Sequence, residues 1–165
     1  MKKRVQKRTD IRLLTTAAIL AALYVTLTWL SNAFGLASGV IQFRLSEALT
    51  VLVYFTRAAV SGVTIGCFLA NLLTGACALD VVFGTLATFL GVLGGRLLRK
   101  QKWLVPIPTI LSNMLIVPWV LRYGYGMSDA IWYSAITVGI GEVVCAGGLG
   151  LFLLHILKKR RNDII

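Results

Sequence analysis

The sequence predicts an all-α membrane protein of six transmembrane helices, a single membrane domain over 1–165 with both termini in the cytoplasm. Three observations carry that prediction. First, 58% of the residues are hydrophobic and only 14% are charged, against about 25% charged in soluble domains. A soluble fold of this size would have too few polar side chains to cover its surface. Second, the apolar residues fall into runs close to the roughly 20 residues a helix needs to cross a bilayer. At that length a chain of 165 residues holds six or seven crossings at most, so a nucleotide-hydrolysing domain is excluded unless another chain brings it. Third, 17 Lys and Arg oppose 6 Asp and Glu for a net charge of +11, and the basic residues cluster at the two ends and in one loop. In a soluble protein that excess would suggest nucleic acid. Here membrane topology accounts for it, and no nucleic-acid partner is expected.

The first span is 11–30, apolar except for Arg12, which can snorkel to the membrane edge. It follows a basic start and is too long for a signal-peptide core, so it is expected to be retained. Residues 31–39 carry Ser, Asn and Gly and read as a loop. Span two is 40–55, interrupted by Arg44 and Glu47, with Arg57 marking its far end. Span three, 58–79, is free of charge, and Asp80 sits at the turn that follows. Span four is 81–95, ended by Arg96, Arg99, Lys100 and Lys102. Span five, 103–121, holds all three prolines, Pro106, Pro108 and Pro118, and kinks of that kind often border cavities. A Gly/Tyr loop over 122–129 leads to span six, 130–157, long enough to tilt and carrying Glu142.

Six spans place both termini on one side, and 15 of the 17 basic residues lie on that side, which the positive-inside rule makes cytoplasmic. The three cysteines, Cys67, Cys77 and Cys145, lie in apolar segments without a CxxC, and read as apolar fillers. His155 adjoins the basic tail and reads as interfacial rather than metal-binding. There is no HExxH, GxxxxGK[ST] or GxSxG motif and no His/Cys ligand set. Neither an enzyme, a metal nor a cofactor is expected.

Charges near the bilayer centre cost about 2.5–3.5 kcal/mol each on insertion scales, so they need a partner or a purpose. In span two, Arg44, Glu47, Thr50 and Tyr54 share one helical face. The plain structural reading is an internal Arg44–Glu47 pair that locks the bundle. The topology also gathers Gln42, Arg44, Glu47, Asn71, Asp80, Asn113, Trp132, Tyr133 and Glu142 in the outer half, while the inner halves are almost wholly apolar. That distribution points to a binding cup open to the outside rather than a channel. Trp132 and Tyr133 fit an interfacial aromatic belt equally well, and Asn71 and Asn113 fit interhelical hydrogen bonds. Small residues at i, i+4 spacing recur in Ala17/Ala21 and Ala18/Ala22 of span one and in Gly62, Gly66, Ala70 and Thr74 of span three. Such faces let helices approach closely; packing inside the bundle is the reading for span three, and either use remains open for span one.

The run Ile41-Gln42-Phe43-Arg44-Leu45-Ser46-Glu47-Ala48-Leu49-Thr50 resembles the signature of the QueT family. The resemblance continues through residues 66–75 (GCFLANLLTG), residues 79–88 (LDVVFGTLAT) and Gly139-Ile140-Gly141-Glu142, and so covers nearly the whole chain. Arg57 and Ser61 stand where the family pattern has prolines. The resemblance implies the substrate-binding S component of an energy-coupling factor (ECF) transporter, a six-helix bundle in the bacterial cell membrane. It implies a transmembrane coupling protein and two cytoplasmic ATPase subunits as partners. The Ala17/Ala21 and Ala18/Ala22 face then becomes the docking surface for the coupling protein.

The implied ligand is a 7-deazaguanine queuosine precursor, preQ0 or preQ1. Its guanine-like edge offers two neighbouring N–H donors to a carboxylate, Glu47 or Glu142. Asn71 and Asn113 serve the carbonyl and the remaining edge, and Phe83, Trp132 or Tyr133 stacks on the ring. A cationic aminomethyl group would pair with Asp80 or the other glutamate, with Arg44 orienting a carboxylate. Three alternatives stand beside this reading: an S component for another vitamin or purine-like solute, a proton-coupled secondary transporter with Glu47 and Glu142 as relays, and a non-transport membrane scaffold that would tolerate neutral replacement of the outer polar groups.

Overall fold

The computed structural model describes residues 2–36 and 41–164. Part of the expected first loop and residue 40 of the expected second span therefore lie outside the described residues. Among the described residues all regular structure is helical, in six segments. The first helix is Lys2–Ala33 and the second is a 3-10 helix, Leu45–Tyr54. The third is Ala58–Leu73. The fourth joins a π-helical turn, Asp80–Gly84, to an α-helix, Thr85–Leu97. A 3-10 turn, Lys102–Leu104, precedes the fifth helix, Ile107–Gly124. The sixth is an α-helix over Ile131–Glu142, a π-helix over Val143–Leu149 and an α-helix over Gly150–Ile164.

The first, fourth, fifth and sixth segments are long and apolar enough to cross a membrane. The other two are shorter than expected. Ten residues of 3-10 helix rise about 20 Å, and sixteen of α-helix about 24 Å, both less than a hydrocarbon core of about 30 Å. Expected span two begins as extended chain, with Arg44 at φ −101° and ψ 97°. Its helix is wound at three residues per turn. Thr50 Oγ1 donates to the carbonyl of Glu47 at 2.6 Å, and a hydroxyl bonded back to the chain in this way competes with the regular α ladder. Expected span three stops at Leu73 because Gly75 adopts φ 71° and turns the chain away.

Close approaches at glycine fix the topology. A Cβ on Gly62 would lie 2.7 Å from the Ala17 carbonyl oxygen, and one on Gly66 would lie 2.7 Å from Tyr24 Cβ. The first and third helices therefore run parallel, backbone against backbone, as small residues permit. Gly91 and Gly95 meet Thr109 and Val105 in the opposite order, so the fourth and fifth are antiparallel. Gly141 abuts Gln42 and Gly150 abuts Val51, so the second and sixth run parallel. Arg44 reaches Asp80 and Arg96 reaches the Val53 carbonyl, which aligns the second with the fourth. The hydrogen bond from Thr28 of the first helix to Ser46 of the second, beside the Tyr24–Glu47 contact, sets those two antiparallel. The segments thus alternate in direction.

One end of the bundle gathers Arg57, Arg96 and Lys158, whose ammonium lies 5.8 Å from the Tyr54 ring. At that end Thr56 Oγ1 accepts the Ala58 N–H at 3.2 Å and Ser61 donates to the Ala58 carbonyl at 3.2 Å, closing the turn in which Arg57 and Ser61 replace the expected prolines. Pro106 and Pro108 sit at the start of the fifth helix, where a missing N–H costs nothing, and Pro118 lies inside it.

Burial is inverted relative to a soluble domain. Leu14, Trp29, Leu73, Leu97, Leu115 and Phe152 are exposed, whereas Glu47, Asn71, Asp80, Asn113 and Glu142 are buried. An exposed apolar shell of that extent belongs against lipid, and the buried polar groups mark the interior as the place for a site.

Candidate functional site: a polar cavity closed by Arg44 and Asp80

At the end opposite the basic cluster, the first and third helices stop in the same way. Gly35 (φ 68°) donates to the Asn32 carbonyl at 2.9 Å while Leu36 donates to Ser31 at 2.9 Å. Gly75 donates to Leu72 at 3.3 Å while Ala76 donates to Asn71 at 2.9 Å. These are paired left-handed caps that need glycine at the turning residue. The fifth helix ends at a third such residue, Gly126 (φ 68°), with Met127 donating to Leu121 at 3.2 Å. The capped ends form the lip of a cavity of about 340 Å³, whose inner wall carries Gln42, Arg44, Asn71 and Asp80.

Asp80 is the centre of that wall. It is 2% exposed, and its Oδ2 accepts from Arg44 at 3.1 Å and from the Tyr125 hydroxyl at 3.0 Å. Asn71 donates to the Asp80 carbonyl at 3.1 Å, locking the turn where the fourth helix begins. Gly84, one helical step on, has no side chain because the carboxylate fills that space; a Cβ there would overlap Asp80 Oδ1. Among the described residues Asp80 Oδ1 has no hydrogen-bond partner. Burial and the adjacent Asp80 carboxylate push the Tyr125 phenol up to about 12, so near neutral pH it stays protonated and acts as a donor.

Behind Arg44 lies a second, narrow compartment of about 10 Å³, lined by Gln42, Arg44, Asn113 and Glu142 between Val117 and Val138. That is about the room needed for a single water. Glu142 is 8% exposed, and among the described residues its Oε2 has no partner. Gln42 and Arg44 line both compartments and so form the wall between them.

The residues expected to form one site are therefore divided. Gln42, Arg44, Asn71 and Asp80 line the wide cavity, and Asn113 and Glu142 the narrow one. Glu47 lines neither; it is buried against Tyr24, whose hydroxyl donates a short hydrogen bond to Oε1. The expected Arg44–Glu47 pair is replaced by Arg44–Asp80, because the extended chain at Arg44 removes the helical spacing that would have joined the first two. The three expected stacking aromatics are placed elsewhere. Phe83 lines an apolar groove on the lipid-facing side with Leu115, Trp119 and Tyr123. Trp132 and Tyr133 are 67% and 40% exposed and meet each other edge to face, as belt residues do.

Sequence reasoning did not single out Tyr24 or Tyr125. Tyr125 falls in the Gly/Tyr loop, and only its proximity to Asp80 marks it. Tyr24 stands one helical turn after Ala21 on the face that meets the third helix, a register that could have shown it as buried.

The four alanines also divide. Ala17 and Ala21 are buried against Gly62 and Gly66, whereas Ala18 and Ala22 are exposed. The first pair is therefore a packing seam of the bundle, and only the second pair presents a free small-residue face. Among the described residues no three His, Cys, Asp or Glu side chains converge as a metal would require.

The family model described as QueT transporter matches residues 14–159. A protein named queuosine precursor transporter QueT, from Lactococcus lactis subsp. cremoris (strain MG1363), is 42% identical over 84 residues, covering 48% of this chain and 49% of that protein. The match thus spans about half the length of that relative. No solved structure matches the chain.

Proposed function

The chain belongs to the QueT transporter family, and on that premise we propose that it is the substrate-capturing S component of an ECF importer for a 7-deazaguanine queuosine precursor, preQ0 or preQ1. The observation that carries the proposal is the cavity of about 340 Å³ with a buried carboxylate in its wall. Its volume lies at the lower end of the usual range for small-molecule sites, about 300–1,000 Å³. A carboxylate accepts neighbouring N–H donors or an ammonium group through its two oxygens; Asp80 Oδ1, unpartnered among the described residues and packed against Gly84, turns toward the cavity to accept one. Asn71 and Gln42 supply amides, and Tyr125 supplies the aromatic ring at the lip, in the role the sequence offers Phe83, Trp132 or Tyr133.

The basic end of the bundle faces the cytoplasm by the positive-inside rule, so the cavity opens to the outside of the bacterial cell membrane. The chain carries no phosphate-binding loop motif, so the energy for uptake comes from a coupling protein and two ATPase subunits. The exposed Ala18 and Ala22 offer the coupling protein a close approach. Mass spectrometry of small molecules retained by the purified chain tests the substrate class. A 7-deazaguanine released on denaturation is the expected result; thiamine, riboflavin or another vitamin in its place would refute it.

A further inference from the structure

Two carboxylates, Asp80 and Glu142, border the two compartments, but only one guanidinium does. Glu47 is bonded by Tyr24, and Asp80 by Arg44. Glu142 is left with a buried oxygen that, among the described residues, has no partner, in a compartment whose wall is the same Arg44. A buried carboxylate oxygen without a hydrogen bond is costly, and a single guanidinium cannot pair with two carboxylates on opposite sides of itself at full strength. The site is thus one positive charge short.

We propose that Glu142 sets the charge preference of the site: when a ligand bearing an ammonium group takes Asp80, Arg44 turns into the narrow compartment and pairs with Glu142. Each carboxylate then holds one cation. A neutral ligand leaves Arg44 on Asp80 and gains nothing from Glu142. Arg44 already borders both compartments; the narrow one has room for about one water, so its lining must part as the guanidinium enters. The exchange also opens the wall, so the ligand ring enters space that Arg44 fills in the empty site. Asn113 and Gln42, which line the narrow compartment with Glu142, supply polar contacts for the incoming guanidinium or for the water it displaces. Glu142 acts through Arg44 and is a positioning residue, not a ligand contact.

The choice of probe rests on the deazaguanine reading above; the exchange itself does not. The first arm uses the full chain in detergent without ligand. Asp80→Asn releases Arg44 to Glu142, so adding Glu142→Gln should lower the melting temperature more in the Asp80→Asn background than in the parent. The excess should be about 3 °C or more. Additive shifts would overturn the exchange. The second arm compares binding of 7-aminomethyl- and 7-cyano-7-deazaguanine to the parent and to Glu142→Gln. The amine should weaken about tenfold or more and the nitrile by less than about threefold. Equal effects on both, or none on either, would overturn the charge-preference role. Non-additive melting shifts without binding of either compound by the parent would retain the exchange and refute the deazaguanine reading.

Discussion

Tyr24→Phe removes one oxygen and leaves the ring, so its effect isolates the hydrogen bond to Glu47. The ring packs in the core cluster with Leu20, Val63 and Cys67, and Phe preserves that contact. Tyr24 and Glu47 are each 1% exposed, and among the described residues Glu47 Oε2 has no partner, so no neighbouring side chain on that oxygen offsets the loss. Stranding a buried acceptor costs about 1–3 kcal/mol, more where it is charged. For a chain of this length, 1 kcal/mol corresponds to about 2–4 °C in melting temperature, so the variant should melt about 2–12 °C below the parent. Ligand affinity should change by less than about threefold, since Glu47 lines neither compartment. Glu47→Gln retains an acceptor for Tyr24 and should lower the melting temperature less than Tyr24→Phe. Thermal unfolding in detergent, paired with ligand titration, reads both quantities. If affinity fell about tenfold or more at an unchanged melting temperature, Glu47 would be a ligand reader and its assignment to the framework would be wrong.

The other predictions concern the site wall, the docking face and energy coupling. Gly84→Ala places a methyl group on Asp80 Oδ1 and 3.4 Å from Asn71 Nδ2; it should weaken ligand binding by about tenfold or more with expression retained, and unchanged binding would show that the Asp80 position is unimportant. Ala18→Leu with Ala22→Leu should abolish co-purification with the coupling protein and leave ligand binding intact, whereas Ala17→Leu should destabilise the bundle by about 1–3 kcal/mol as overpacking does. Loss of ligand binding in the first variant would make that face internal. In liposomes the chain alone should bind substrate without accumulating it; accumulation driven by a pH gradient without ATP would favour the proton-coupled reading.

The helical class, the four long spans and the gathering of polar residues were legible because burial in lipid constrains composition directly. The glycine seam of the third helix was legible for the same reason: small residues at i, i+4 leave a mark that needs no neighbour to interpret. Three features were hidden. The 3-10 winding of the second helix was missed because Arg44, Glu47 and Thr50, three apart, suit a period of 3.0 as well as 3.6. The π-helical stretches at Asp80–Gly84 and Val143–Leu149 shift the register by single residues inside uniformly apolar runs. The Arg44–Asp80 pair joins residues 36 positions apart, and no local spacing encodes which of three carboxylates the arginine meets. The sequence could not choose among the aromatics because Phe, Trp and Tyr serve equally well at a lipid surface and over a ligand, and only the packing of neighbouring helices separates them.

The central claim is that the cavity walled by Asp80 and Arg44 binds a 7-deazaguanine. Equilibrium titration of the purified full chain with preQ1, guanine, thiamine and riboflavin, in the parent and in Asp80→Asn, tests it most directly. The account predicts saturable binding of preQ1 at one site per chain, no competition by thiamine or riboflavin, and at least about a tenfold loss in Asp80→Asn. Binding of preQ1 that is indifferent to Asp80→Asn would place the site elsewhere, and preferential binding of thiamine or riboflavin would contradict the account.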